Sequence, residues 1–129
     1  MLKARTTPFQ PLSGHTFMSL TTFRKTGEPV PTPVWFASHG EKLYVMTQAH
    51  AGKVKRIRNN AQVEVAPCTG RGDLLGKSVE AMARILPPDQ LREAKAALNH
   101  KYGWQKRIFD MMNRMRGMEM AYLEITPME

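Results

Sequence analysis

Val30-Pro31-Thr32-Pro33-Val34-Trp35-Phe36-Ala37-Ser38-His39-Gly40-Glu41-Lys42-Leu43-Tyr44-Val45-Met46-Thr47 is the stretch on which the fold turns. Val34, Trp35 and Phe36 are strand formers, and His39-Gly40-Glu41 reverses the chain. Leu43, Val45 and Thr47 then alternate with Lys42, Tyr44 and Met46. The pattern predicts a strand over 30–38, a turn, and an antiparallel strand over 42–47. Pro31 and Pro33 stand two apart, so one lateral side of the first strand lacks N–H donors there. That side must be a sheet edge or must face something other than a strand, such as a ligand lying along it.

Upstream, Thr16 to Phe23 is rich in Phe, Thr and Leu, and Arg24-Lys25-Thr26-Gly27-Glu28 is a polar turn, which makes a hairpin with the strand at 30–38. Residues 1–15 carry Pro8, Pro11 and Gly14 without periodicity and read as a lead-in that lies on the domain or caps an edge. Downstream, Val54 and Ile57 give a short apolar stripe at helical spacing within 51–59. Period-two alternation returns over 61–66 and 77–86, joined by the glycine-rich loop Thr69-Gly70-Arg71-Gly72-Asp73. Pro87-Pro88-Asp89 opens a helix whose face is Leu91, Ala94, Ala97, Leu98 and Tyr102. After Gly103 a second stripe, Trp104, Ile108, Met111, Met112 and Met115, runs to Gly117, and 118–126 closes as a strand. Six antiparallel strands in so short a chain predict a mainly β fold, a small barrel with helical additions, because closure removes exposed edges.

A length of 129 residues with ordinary hydrophobic (42%) and charged (23%) usage predicts one domain over 1–129, neither disordered nor fibrous. No apolar run has the length of a membrane span, and Met1-Leu2-Lys3-Ala4-Arg5 lacks the apolar stretch of a signal peptide, so the expected place is the cytoplasm, with no membrane partner. Cys68, the single cysteine, has no partner for an intrachain disulfide, and the four histidines show no metal-ligand spacing. The outlying quantity is charge: nineteen Lys and Arg against eleven Asp and Glu, a net +8. Such a balance favours an anionic partner. Lys53, Lys55, Arg56 and Arg58 fall within six residues that hold no acid, and a cluster so local suits a small anion.

Lys53 and Arg56 are three apart and so share one helix face, close enough to hold a phosphate from two sides. Ala51-Gly52 at the helix start leaves backbone N–H groups aimed at the same place, and Thr47 can add a hydroxyl. A solvated basic face satisfies the same spacing, and both side chains are expected to be exposed without ligand. Hydrolase signatures are missing: there is no Gly-x-Ser-x-Gly, no Cys–His arrangement and no compelling carboxylate pair. Aromatic residues such as Tyr44, Tyr102 and Trp104, and the methionines of 111–118, read as packing residues, and none is assigned a catalytic role.

The order of Thr22 to Pro29, Pro33-Val34-Trp35-Phe36, Leu43-Tyr44-Val45-Met46-Thr47 and Gly52-Lys53-Val54-Lys55-Arg56-Ile57-Arg58-Asn59-Asn60 resembles the pyridoxamine 5′-phosphate oxidase-like split barrels, from about Thr16 to Pro127. Lys101-Tyr102-Gly103-Trp104 and Leu123-Glu124-Ile125-Thr126-Pro127 are most similar to the branch of deazaflavin-dependent oxidoreductases. The resemblance implies a six-stranded split β-barrel that forms a homodimer, with a deazaflavin (coenzyme F420) or FMN in a groove between protomers. It implies that Lys53 and Arg56 grip the cofactor phosphate, that Thr47 and Arg58 are additional contacts, and that Thr32, Pro33, Val34, Trp35 and Phe36 lie against the tricyclic ring. The implied activity is hydride transfer to a small-molecule substrate, with the cofactor supplying the chemistry. True pyridoxamine 5′-phosphate oxidases are longer and carry a C-terminal extension, so activity on pyridoxine phosphates is not expected. Two other roles remain open: a non-enzymatic flavin or haem binder, and a basic nucleic-acid-binding barrel. The chain lacks the aromatic-plus-basic strand that the last role uses, so no nucleic acid is expected.

Overall fold

A computed structural model describes residues 8–102 and 119–128. Its strands are β1 (Phe17–Phe23), β2 (Pro29–Trp35), β3 (Ala37–His39), β4 (Lys42–Gln48), β5 (Gln62–Cys68), β6 (Val79–Ile85) and β7 (Met120–Pro127). The helices are α1 (Gly52–Asn59) and α2 (Arg92–Tyr102), with single 3-10 turns at Gln10–Leu12 and Pro88–Gln90. The expected second stripe over 104–115 lies outside the described residues. No helix among the described residues is long and apolar enough to cross a membrane.

All pairings are antiparallel, in the order β2-β1-β5-β6-β7-β4-β3. β2 and β3 stand at opposite ends of that order, yet only Phe36 separates them along the chain. Cα atoms two residues apart are at most about 7 Å apart, whereas seven strands laid flat would hold their outer members about 29 Å apart. The sheet therefore curls until its ends meet at Phe36, giving a half-barrel of the split-barrel kind.

The strand count is seven, not the expected six, because the strand expected over 30–38 divides at Phe36. Alternation does not register the break. Val34 and Phe36 belong to the inner core and Trp35 and Ala37 to the outer one, so the side chains keep their period while the backbone changes partner from β1 to β4. The turns match the expected ones. Gly27 at φ 92° closes the β1–β2 hairpin, donating to the Arg24 carbonyl, and Gly40 at φ 64° turns β3 into β4.

Two hydrophobic layers result. Inside the curl, Met18, Leu20, Val45, Val63, Val65, Leu123 and Ile125 are fully buried, each contributing roughly 1.5–3 kcal/mol. Phe9 and Leu12 of the lead-in reach the same core, so that segment plugs the curl. Outside, α2 lays Ala94, Ala97 and Leu98 over Ala37, Tyr44 and Tyr122. β2 pairs only with β1 among the described residues, so Pro31 and Pro33 turn their donor-free side to an open edge, as their spacing requires.

Candidate functional site

α1 is fixed by Val54 and Ile57, which are buried on its inner side where the helix packs on β1 and β6. Three-residue spacing then sends Lys53 and Arg56 out on the neighbouring face. Both are half-buried rather than exposed as expected, while Lys55 and Arg58 are exposed. The reason for Arg56 is a contact from β1: its Nε donates to Thr22 Oγ1 at 2.6 Å, and Thr22 is fully buried.

The guanidinium also folds back over the helix start. A Cβ built on Gly52 would lie 2.8 Å from Arg56 Nη1, so the glycine leaves the room the Arg56 fork occupies. The N-cap, Ala51, is extended and no side chain caps the first turn, and no acid stands in it. Backbone donors, the positive end of the helix and a guanidinium thus converge on one spot. Burial, and then the Arg56 charge, lower the Lys53 pKa; burial, and then Arg24, lower that of Arg56. Arg24 is a third cation of this group, tied to Glu28 at 3.4 Å in a solvent-exposed pair.

The remaining expected site residues are distributed along β2 and β4. Thr32 is half-buried, its Oγ1 donating to the Leu20 carbonyl at 3.4 Å, and Pro33 is exposed. Val34 packs on the inner core, and Trp35 lies on the outer side with its ring 6.3 Å from that of Phe17. Phe36 is 2% exposed and lies under the Lys101 ammonium, 3.5 Å from the ring centre. Thr47 is half-buried opposite Ala121. No hydrogen bond joins Thr47 or Arg58 to the Lys53–Arg56 pair among the described residues. Thr22 and Arg24 were not anticipated as contacts, and no local signal marks them, since Thr22 and Arg56 are 34 residues apart.

A second polar group lies under α2. Glu124, on the outer side of β7, accepts from Arg84 Nε at 2.8 Å, Lys42 Nζ at 3.4 Å and the Tyr44 hydroxyl at 3.2 Å. Burial alone would raise the Glu124 pKa, but the Arg84 hydrogen bond and charge, with Lys42, hold it below the ordinary value. The single Tyr44 hydroxyl proton is shared between Glu124 and Glu93 of α2, each 3.2 Å away, and burial and then the Glu124 charge push its pKa far up. This is a closed set in which cations meet a carboxylate. Among the described residues no cluster of His, Cys, Asp and Glu has metal-binding geometry.

Known proteins agree with this architecture. No curated protein sequence matches the chain. Among solved structures, the haem storage protein HutZ of Vibrio cholerae superposes with TM-score 0.68 at 16% identity, over 90% of this chain and 84% of its own. A conserved hypothetical protein of Mycobacterium tuberculosis gives 0.69 at 18% identity, over 100% and 83%. A FAD-binding protein of Mesorhizobium loti gives 0.61 at 19%, over 93% and 86%. At such identities these likenesses speak to fold alone. The sequence itself goes further, because the model of the pyridoxamine 5′-phosphate oxidase family matches residues 9–128. That span takes in the curled sheet, α1 with its basic pair and the closing strand, and the chain belongs to the pyridoxamine 5′-phosphate oxidase family.

Proposed function

We propose that this protein binds a phosphate-bearing tricyclic cofactor, coenzyme F420 as first choice and FMN as the close alternative, and serves hydride exchange with a small-molecule substrate. The observation that carries the reading is Arg56, held by Thr22 above the uncapped first turn of α1, with Lys53 beside it. Lys53 and Arg56, half-buried and paired with no carboxylate among the described residues, repel one another, and a phosphate placed there converts that repulsion into charged hydrogen bonds. The residues present therefore fit the phosphate end of either cofactor.

From that spot β2 runs on toward Phe36, about 20 Å from Val30 at the strand rise of roughly 3.3 Å per residue. Its open edge presents the carbonyls of Pro31 and Pro33 with no N–H between them, an acceptor-only ledge suited to a donor on a ring. Thr32, Pro33, Val34 and Trp35 would flank the ring, with Phe36 supporting the strand from the core. When bound, the cofactor supplies the hydride chemistry, and the chain binds, orients and shields it. A second copy of the chain would complete the groove, making the working form a homodimer.

The test is an absorbance titration of the purified protein with F420, FMN and haem in turn, with light scattering on the loaded sample. Saturation by F420 or FMN at micromolar concentration, in a particle near twice 14.6 kDa, is the expected result. Saturation by haem alone would replace the enzyme with a haem binder. Tight oligonucleotide binding at physiological salt without response to either flavin would replace it with a nucleic-acid-binding barrel.

A further inference from the structure

The ladder between β1 and β2 runs through seven pairs, from Phe17↔Trp35 to Phe23↔Pro29. A proline has no N–H to give to it, so Val30, Thr32 and Val34 turn their backbone groups to β1, and Pro29, Pro31 and Pro33 turn theirs outward. Three carbonyls therefore stand along the open edge with no N–H among them. The next outward N–H, that of Trp35, is about 7 Å beyond Pro33 at the rise of a strand. Donors near this edge are spent elsewhere. Thr32 Oγ1 donates to the Leu20 carbonyl at 3.4 Å, back into the sheet. The loop over 69–73 comes up to Pro33, since a Cβ on Gly72 would lie 3.9 Å from Pro33 Cδ. Its own N–H groups are tied inward: Gly72 bonds the Thr69 carbonyl at 2.9 Å, and Arg71 and Asp73 bond Thr69 Oγ1 at 3.3 and 3.1 Å. At Pro33 the strand edge has no donor, and the Thr32 hydroxyl and the backbone donors of Arg71, Gly72 and Asp73 are engaged.

We propose that this donor-free wall chooses the cofactor: it accepts a tricyclic ring with carbon at central position 5, a 5-deazaflavin, and disfavours a ring with nitrogen there, a flavin. This choice rests on the proposed seat of the ring against β2. Both kinds of ring carry the pyrimidine N–H that suits a carbonyl, and both carry the phosphate that suits Lys53 and Arg56, so neither contact discriminates. Position 5 does. In an oxidised flavin it is a nitrogen whose lone pair needs a donor; beside Pro31 and Pro33 it loses its water and meets carbonyl oxygens, an acceptor left unpaired. A C–H at the same place gives up no hydrogen bond and makes a weak favourable contact with a carbonyl oxygen. Pro31 and Pro33 are thus specificity-determining residues, acting through the N–H groups they lack.

The probes are FMN and 5-deaza-FMN, which differ only in N against C–H at position 5, titrated into the purified protein by fluorescence. 5-Deaza-FMN is expected to bind about tenfold more tightly, the worth of one unpaired acceptor. Pro33→Ala restores an outward N–H at an exposed edge position and should bring the two affinities within about threefold, chiefly by strengthening FMN binding. Pro29→Ala restores one about 13 Å away and should leave the preference intact. So should Arg71→Ala, which removes the long donor side chain of the loop and leaves its backbone in place. All three positions are exposed, so the denaturation midpoints of the variants should match that of the parent. Equal affinities in the parent protein, or a preference that survives Pro33→Ala, would overturn the choice by β2 and leave the phosphate cradle standing. No saturation by either probe at millimolar concentration would overturn the proposed function, and the choice with it.

Discussion

Around Glu124 the chain surrounds one buried carboxylate with Arg84, Lys42 and the Tyr44 hydroxyl; at the start of α1 it gathers Lys53, Arg56 and Arg24, and among the described residues the one acid paired there, Glu28, stands out in solvent. Both regions concentrate positive charge in partial burial. The first carries its own counter-charge and locks α2 to the sheet through Tyr44 and Glu93. Among the described residues the second has no buried carboxylate paired to Lys53 or Arg56, and its one ion pair, Arg24 with Glu28, lies in solvent. The proposed phosphate site rests on that difference rather than on charge alone.

The sharpest way to break this contrast is to remove cations at α1 and read cofactor affinity. Arg56→Ala and Lys53→Met should each weaken F420 or FMN binding by about 10- to 100-fold, the worth of one charged hydrogen bond of roughly 1.5–3 kcal/mol. Lys55→Ala, an exposed charge on the same helix, is the control. Equal losses at all three positions would mean a diffuse positive field rather than a built cradle.

Glu124→Gln probes the other region and should lower folding stability by about 2 kcal/mol in denaturant titration. That is less than the 3–5 kcal/mol of fully buried pairs, because Arg84 and Lys42 keep 52% and 44% of their side chains in solvent. The pH dependence has a definite sign. Since the folded-state pKa of Glu124 lies below its ordinary value of 4.5, its contribution is full above that pH and is lost as pH falls through the folded value. The variant should show a shallower acid limb; an unchanged limb would remove Glu124 from the account.

A smaller effect is expected at Gly52. In Gly52→Ala the new methyl meets the far end of the Arg56 side chain, which is flexible, so stability should hold within about 0.5 kcal/mol while the displaced guanidinium lowers cofactor affinity about fivefold. Smallest of all, Lys53→Met should raise the stability of the ligand-free protein by about 0.5 kcal/mol, because it relieves repulsion from Arg56 and keeps the apolar stem. That is the opposite sign to Glu124→Gln, and two losses of the same sign would erase the distinction between the regions.

Much of the fold can be read from alternation: each expected strand over described residues exists, and the stripe Leu91, Ala94, Ala97 and Leu98 faces the sheet. The division at Phe36 is illegible because side-chain parity passes through it unchanged. The Glu124 network is illegible for a related reason. Outward positions of β7 read as solvent-facing, and only the return of α2 over Tyr122 and Glu124 buries them. Lys53 and Arg56 were legible as a pair from spacing, but the burial that makes them more than a surface patch depends on Thr22, brought in by the pairing of distant strands.

The two ends of the sheet bear on how copies of this chain can meet. An open sheet normally invites another strand, and repeated edge-to-edge addition is a route to aggregates. Here one end, β2, offers a neighbour carbonyls but, at Pro31 and Pro33, no donors; the other, β3, is three residues long. Neither can template a continuous ladder. A concentrated solution of this protein should therefore resist fibril growth through these two edges, and a pairing of copies through side chains on its faces would let sequence specify a single geometry.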